Sequence, residues 1–257
     1  MNRYYPLIKK AVNFLPGMIG LELVRKSPKS RPSLRTSLHD RMTLLRRLGF
    51  SPRVIFDCGA YVGNWTRQTS QIFPNAQFLL IEPNPLILEQ TRQTIQSIQP
   101  EPVLLDCAVS AKTGQATLNI HVNEKSGMAG SSLLEHVQGI VPNRIDVEVK
   151  TLDSIADEHN LYPDLLKLDL QGSELTALQG AGEILTTTEV CIIEFGCLDA
   201  YINRTTPRDL LDFMYDHEYV LYDIVAPYYR PYDDALAGGD FFFVKASSQL
   251  RAYRGFW

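Results

Sequence analysis

From residue 50 onward, short and nearly continuous apolar runs alternate with longer segments whose apolar positions recur every three or four residues. The first kind reads as strands covered on both faces, the second as amphipathic helices, and their alternation predicts an α/β fold wound around a mostly parallel sheet. Strands are expected at residues 53–58, 77–82, 102–107, 165–169 and 190–194. Helices are expected at 64–73, 85–98, 173–185 and 207–217, the last with Thr205 or Thr206 as cap and Pro207 at its first position. The final third changes character, because the apolar runs 219–224 and 240–245 are separated only by a Pro/Tyr/Gly-rich loop. Such a pair is expected to be antiparallel. Between the third and fourth core strands lie about 57 residues, too many for a plain crossover. Within them 116–122 and 145–152 alternate apolar and polar, which predicts a small extra strand pair, and the polar loop 123–143 is a candidate cover for a substrate. Residues 1–50 read as a mainly helical lead-in to a single domain over 51–257.

Composition narrows the class. A chain of 257 residues with 45% hydrophobic and 21% charged positions is an ordinary globular sequence, and no run reaches the roughly 18 apolar residues of a membrane span. The apolar stretch 11–24 is interrupted by Asn13, Pro16, Gly17 and Glu22 and reads as mature chain, not leader. The formal charge of -4 supplies no overall field for nucleic acid, which is not an expected partner. Charge is unevenly placed: residues 1–50 hold eleven Lys/Arg against Glu22 and Asp40, leaving the remainder strongly acidic. Tyr4, Leu7, Ile8, Ala11, Val12 and Leu15 recur at helical spacing. That basic arm can dock on the acidic body, or draw the protein to an anionic membrane surface or acidic partner through Arg25, Lys26, Lys29, Arg31 and Arg35. The cysteines, Cys58, Cys107, Cys191 and Cys197, have no zinc or redox spacing; three stand at strand positions as small apolar residues, a usage that fits a reducing cytoplasm.

The first predicted strand runs through Asp57-Cys58-Gly59-Ala60-Tyr61-Val62-Gly63 into a helix, a glycine-bearing turn at the edge where open α/β sheets bind ligands. Glu82 ends the second strand 19 residues after Gly63, where an acid can accept both hydroxyls of a ribose. These two signals do not separate a nicotinamide dinucleotide from another nucleoside cofactor. The G-x-x-x-G spacing and the acid at Asp57, which would repel a pyrophosphate, favour a cationic cofactor bearing an amino group.

Further blocks follow in order: Ile81-Glu82-Pro83-Asn84-Pro85, Ser131-Ser132-Leu133, Thr151-Leu152-Asp153, and Leu166-Lys167-Leu168-Asp169-Leu170-Gln171-Gly172-Ser173-Glu174. With Phe56-Asp57-Cys58-Gly59-Ala60 and Gly63 they resemble the FkbM-type S-adenosylmethionine-dependent methyltransferases over roughly residues 50–246. The resemblance implies a doubly wound, seven-stranded Rossmann-like sheet with an antiparallel last strand and S-adenosylmethionine as cofactor. Carried over by position, it makes Asp57, Gly59, Tyr61 and Gly63 contacts to the methionine part, Glu82 the ribose ligand, and Asn84 a neighbour of ribose or adenine. Asp106, Cys107 and Ala108 would hold the adenine edge, and Asp169 would border both cofactor and acceptor. Tyr61 stands where an asparagine is common, and Gln171 where the family usually has glutamate.

Methyl transfer to an alcohol needs an in-line acceptor and a destination for its proton. Asp169 and Glu194 end neighbouring strands and are the candidate pair, either as base or as ligands of a divalent metal, with Glu174 close by. His121 and His136 flank the Gly130-Ser131-Ser132 loop and are alternative bases, while His39, His159 and His217 read as surface groups. Ser131, Ser132, Tyr201, Asn203, Arg204 and Asp240 are expected along an acceptor pocket, with the loop from Pro227 to Tyr232 beside a sugar or other ring. The function implied is methyl transfer to a hydroxyl of a sugar, glycan or secondary metabolite. Two alternatives stand beside it: a partner protein that binds S-adenosylmethionine without catalysis, and a nicotinamide-dependent oxidoreductase.

Overall fold

Strand β1 (Val54–Cys58) buries Ile55, Phe56 and Cys58 completely, although successive side chains of a strand point to opposite faces. Both faces must therefore be covered. The computed structural model, which describes residues 37–122, 127–137 and 143–253, shows by what. Ile55 belongs to a layer with Phe78, Leu165, Ile192 and Phe242, closed by helix α1 (Leu38–Arg47), α2 (Asn64–Ile72) and α3 (Leu88–Ile95). Phe56 belongs to the opposite layer with Leu79, Leu166, Ile193 and Phe243, closed by α4 (Leu152–His159), α5 (Glu174–Leu178), α6 (Ile184–Thr187) and α7 (Pro207–Asp216).

The remaining strands are β2 (Gln77–Ile81), β3 (Val103–Leu105), β4 (Ala108–Val109), β5 (Gly114–Ile120), β6 (Asn143–Lys150), β7 (Leu165–Leu168), β8 (Val190–Gly196), β9 (Tyr219–Tyr229) and β10 (Leu236–Lys245). Seven form one sheet in the order β3-β2-β1-β7-β8-β10-β9. Strands β3, β2, β1, β7 and β8 pair parallel, and β10 enters antiparallel between β8 and β9. The seven-stranded, doubly wound sheet expected from the sequence is present. Chain direction across the sheet reverses between β1 and β7, which opens a crevice at their carboxyl ends.

Several elements differ from expectation for local reasons. The helix expected at 173–185 is broken into α5 and α6 across Gly180-Ala181-Gly182, whose two glycines are weak helix formers, and Gly180 lies against the Ser110 carbonyl where a side chain would overlap it. The Asp153 carboxylate then caps α6, accepting from Glu183 N at 3.0 Å and Ile184 N at 3.0 Å. The strand expected through 152 ends at Lys150, since Thr151 caps α4 by accepting from Ser154 N at 3.1 Å. The extra strand pair is a three-stranded sheet, β4-β6-β5, because β4 peels off directly after β3 to join it. Pro227, Tyr228 and Tyr229 lie within β9 and not in a loop; the hairpin pairs Tyr229 with Leu236. Helix α1 buries Met42 and Leu45, and Arg41 forms an ion pair with Asp223 on β9. Residues 1–36, which carry most of the basic arm, lie outside the described residues. Among the described residues no helix is long and apolar enough to cross a membrane.

Candidate active site

The turn after β1 is built by backbone conformations that favour glycine: φ is +77° at Gly59 and +75° at Gly63, and Tyr61 shares the left-handed region at +49°. Gly59 N donates to Ile81 O at 2.9 Å, and a Cβ at Gly59 would overlap the backbone carbonyl of Asp169. The ends of β1, β2 and β7 thus meet as closely as backbone allows. Beside them Glu82 accepts from Tyr61 N at 2.7 Å and Asn84 N at 2.9 Å. Burial pushes its carboxyl up to about 7 against the pull of those two N–H groups, with Asp57 and Asp169 adding repulsion.

A cavity of about 190 Å³ opens here, lined by Gly59, Tyr61, Glu82, Cys107, Ala108 and Asp169 among the residues expected to meet the cofactor. Four others stand off its wall. Asp57 is wholly buried and its carboxylate accepts from the Thr66 hydroxyl at 2.7 Å and the Lys167 ammonium at 3.3 Å. Gly63 caps α2 and lets Ile95 pack against it. Asn84 braces its own turn, accepting from Leu86 N at 3.1 Å, and donates to the Met128 sulfur. Asp106 is exposed, because the chain turns out of β3 just before it. Val109, Leu118, Met128 and Leu133, which the sequence reading left out, complete the apolar wall from the second sheet and its loop. Leu118 was signalled by the alternation of β5, and Leu133 by its place in the Ser131-Ser132-Leu133 block.

Ser131 and Ser132 also line the cavity, in a strap held to β5 by reciprocal hydrogen bonds between Ser132 and Asn119. Ser131 donates to Met128 O at 2.7 Å, and the Ser132 hydroxyl donates to Gln171 O at 3.0 Å. Below the strap, the Gln171 amide nitrogen donates to Asp169 Oδ1 at 2.9 Å and to Glu194 Oε2 at 3.0 Å. The Tyr201 hydroxyl lies 2.9 Å from Gly130 O and 3.3 Å from Gln171 Oε1, and the Tyr228 hydroxyl lies 3.4 Å from Glu194 Oε1. Asp240 stands opposite Glu194 in the β10–β8 register. Burial, with Asp169, Glu174 and Asp240 nearby, raises the Glu194 carboxyl well above its ordinary range; burial likewise takes Asp240 to about 6. Lys167 is buried under Asp57 and Asp169 and over the Trp65 ring; burial works against its charge, but the two carboxylates outweigh it.

The other candidates make different contacts. Glu174 accepts from Leu170 N at 2.9 Å and Gly172 N at 3.1 Å, so its carboxylate shapes the turn after β7. His121, His136 and Tyr201 form a row with ring centroids 5.5 Å and 5.4 Å apart, and neither histidine lines the cavity. His121 is buried, which with His136 lowers its basicity. Asn203 is exposed. Among the described residues no group of three or more His, Cys, Asp or Glu is arranged to hold a metal ion, and the Gln171 NH₂ occupies the gap between Asp169 and Glu194 that a bridging cation would need. That donor set does not fit a divalent metal.

The sequence profile of the methyltransferase FkbM domain matches residues 57–221, more than half of the chain. The chain belongs to the FkbM methyltransferase family. It is a methyltransferase that uses S-adenosylmethionine as its methyl donor. The 2-O-methyltransferase NoeI of Sinorhizobium fredii is 27% identical over 180 residues, covering 65% of this chain and 73% of the relative. Solved structures of similar outline include the 1,6-didemethyltoxoflavin-N1-methyltransferase of Burkholderia thailandensis, bound to 1,6-didemethyltoxoflavin and S-adenosylhomocysteine (11% identity, 80% of this chain and 77% of that chain, TM-score 0.45). Another is the precorrin-6y C5,15-methyltransferase of Geobacter metallireducens (15% identity, 83% and 90%, TM-score 0.41). The cavity of this FkbM methyltransferase combines a buried carboxylate at Glu82, apolar residues at Cys107, Ala108 and Val109, and a close-approach turn at Gly59.

Proposed function

We propose that this FkbM methyltransferase methylates a hydroxyl oxygen of a sugar, glycan or other secondary metabolite, in a cleft where Asp169 is shared by the donor and acceptor halves. The observation that carries this reading is the continuity of the Glu82 cavity with the Asp169–Gln171–Glu194 network at the ends of β7 and β8. The named 2-O-methyltransferase relative supports oxygen as the target atom.

In this reading Glu82 would accept the ribose hydroxyls, Cys107, Ala108 and Val109 would enclose the base, and Gly59 and Tyr61 would border the methionine part. When bound, S-adenosylmethionine supplies a sulfonium methyl open to in-line attack by an oxygen lone pair. Asp169 and Glu194 would orient the acceptor hydroxyl and take its proton, a contribution of roughly 10² to 10⁴ in rate. Ser131, Ser132, Tyr201, Tyr228 and Asp240 would frame the acceptor with polar groups, a surface suited to a molecule carrying several hydroxyls. His121 and His136 stand behind Tyr201 and are not needed as bases.

The test is transfer of labelled methyl groups from S-adenosylmethionine to a panel of hydroxylated saccharides and metabolites, with the ether product identified by mass spectrometry. Methylation at nitrogen or carbon would overturn the assignment to oxygen. Calorimetry with S-adenosylhomocysteine and with NAD separates this reading from an oxidoreductase, and turnover separates it from a non-catalytic binding partner. Activity undiminished by a chelator is expected from the donor set between Asp169 and Glu194.

A further inference from the structure

Gln171 combines features that the donor site does not explain. Its backbone is in the left-handed region, φ +55°, which a residue with a side chain enters at a cost. Its carbonyl is held there by the Ser132 hydroxyl, and its side chain meets three groups at once: Asp169, Glu194 and Tyr201. The amide orientation follows from those partners, because the reverse orientation would set Oε1 against two carboxylates and leave NH₂ toward the phenol.

That geometry sorts the four carboxylate oxygens. An oxygen that accepts an N–H bond has its lone pair engaged and does not carry a proton in that direction. Asp169 Oδ1 accepts from Gln171 and Oδ2 from Lys167 at 3.3 Å, so both its oxygens are engaged. Glu194 Oε2 accepts from Gln171. Among the described residues Glu194 Oε1 meets only the Tyr228 hydroxyl, at 3.4 Å, a neutral group that can turn its hydrogen aside and accept in turn, which the Lys167 ammonium beside Asp169 cannot do.

We propose that Gln171 is a positioning residue that, with Lys167, ties both oxygens of Asp169 into hydrogen bonds and leaves Glu194 Oε1, beside Tyr228, as the atom that receives the acceptor proton. The proposal rests on the reading of the site as one for methyl transfer to oxygen. As the acceptor oxygen bonds to the methyl carbon, the carbon–sulfur bond breaks with its electron pair on sulfur, and the acceptor's O–H proton passes to Glu194 Oε1. The groups facing Glu194 are Asp169 on β7, Glu174 on α5, Asp240 on β10, Tyr228 on β9, and Arg204 and Tyr201 between β8 and α7. Burial and the anions among them raise the Glu194 carboxyl, and the Gln171 N–H is a hydrogen bond that favours its ionised form.

Gln171→Glu, which keeps the shape, replaces this N–H donor by a third carboxyl group. The full-length protein labelled with ¹³C at glutamate side chains, with Glu194→Gln to assign the resonance, reports the titration directly and needs no acceptor. The midpoint of Glu194 is expected to rise by about one pH unit or more in Gln171→Glu. Gln171→Met, which removes the donor without adding charge, is expected to move it in the same direction. The acid limb of turnover, measured on an acceptor found in the saccharide panel, is expected to move by the same amount. A residue that only supported the fold would lower the melting temperature and leave the midpoint in place, and an unmoved midpoint in both variants overturns the proposal. So does full turnover in Glu194→Gln with loss in Asp169→Asn, a result that leaves oxygen methylation intact. Product methylated at nitrogen or carbon would overturn the oxygen reading, while the titration would still report on Gln171.

Discussion

At the scale of single residues, Glu82 and Gly59 show how different causes converge on one cavity. Glu82 faces the cavity with two backbone N–H groups as partners and a carboxyl held at about 7 by burial. In the proposed reading ribose hydroxyls would donate to its ionised form, so S-adenosylhomocysteine affinity is expected to rise with pH through about 7, with proton release seen as a buffer-dependent heat in calorimetry at pH 6.5. Glu82→Ala is expected to weaken that binding by about 1 to 3 kcal/mol and to abolish the proton release. Unchanged affinity in the folded variant would place the ribose elsewhere. Gly59→Ala puts a methyl group into the Asp169 carbonyl and strains a φ of +77°, so a loss of roughly 2 kcal/mol or more is expected in urea unfolding. Gly114→Ala, which meets no neighbour within 4 Å, is the control and should move stability by less than about 0.5 kcal/mol. The places of both Glu82 and Gly59 at the cavity were legible in the sequence, because strand-end position and turn chemistry are local. The hydrogen-bond partners of Asp57 and Glu174 were not, since Lys167 lies 110 residues from Asp57 and the inward turn of Glu174 depends on how the chain leaves β7.

At the scale of elements, the Thr151-Leu152-Asp153 block turns out to act through helix ends. Thr151 caps α4, Leu152 is completely buried, and Asp153 reaches across to cap α6 with one carboxylate on two successive N–H groups. Asp153→Ala is therefore expected to cost about 1 to 2 kcal/mol by thermal or urea unfolding while leaving S-adenosylhomocysteine affinity unchanged. Loss of affinity with stability intact would assign the block to ligand binding instead. The break between α5 and α6 was hidden for a related reason. The apolar positions of 173–185 recur at helical spacing across Gly180 and Gly182, and only the structure shows that the chain breaks there, with Gly180 packed against Ser110.

At the scale of the molecule, buried acids load the carboxyl end of the sheet. Glu82 and Glu174 are raised to about 7, Asp240 to about 6, and Glu194 in the same direction, all chiefly by burial. Between the ordinary carboxylate range and pH 7 the folded protein thus binds more protons than the unfolded chain, so stability falls as pH rises through that window. Exposed Glu158, Asp209 and Asp233 are shifted the other way, but solvent screens them. The urea midpoint is expected to be higher at pH 5.5 than at pH 8, and the difference is expected to shrink in the Glu82→Gln variant. A midpoint that rises with pH over this window would show that these acids are ionised at little cost.

What the sequence determined by itself is what depends on near neighbours along the chain. Continuous apolar runs can only be strands covered on both faces, so the doubly wound sheet, the antiparallel final hairpin and the glycine turn followed by Glu82 could all be read directly. Tertiary structure alone decided the placement of β10 between β8 and β9, the branching of β4 into a second sheet, and the side chains brought together at the cleft. Gln171 meets Glu194 across 23 residues, and its carbonyl meets Ser132 across 39. Hydrophobic periodicity fixes which face of an element is buried, but it carries no information about which polar group from another element arrives at its end. That pairing is set by strand order and register, and with it the choice of which carboxylate oxygen remains open to a proton.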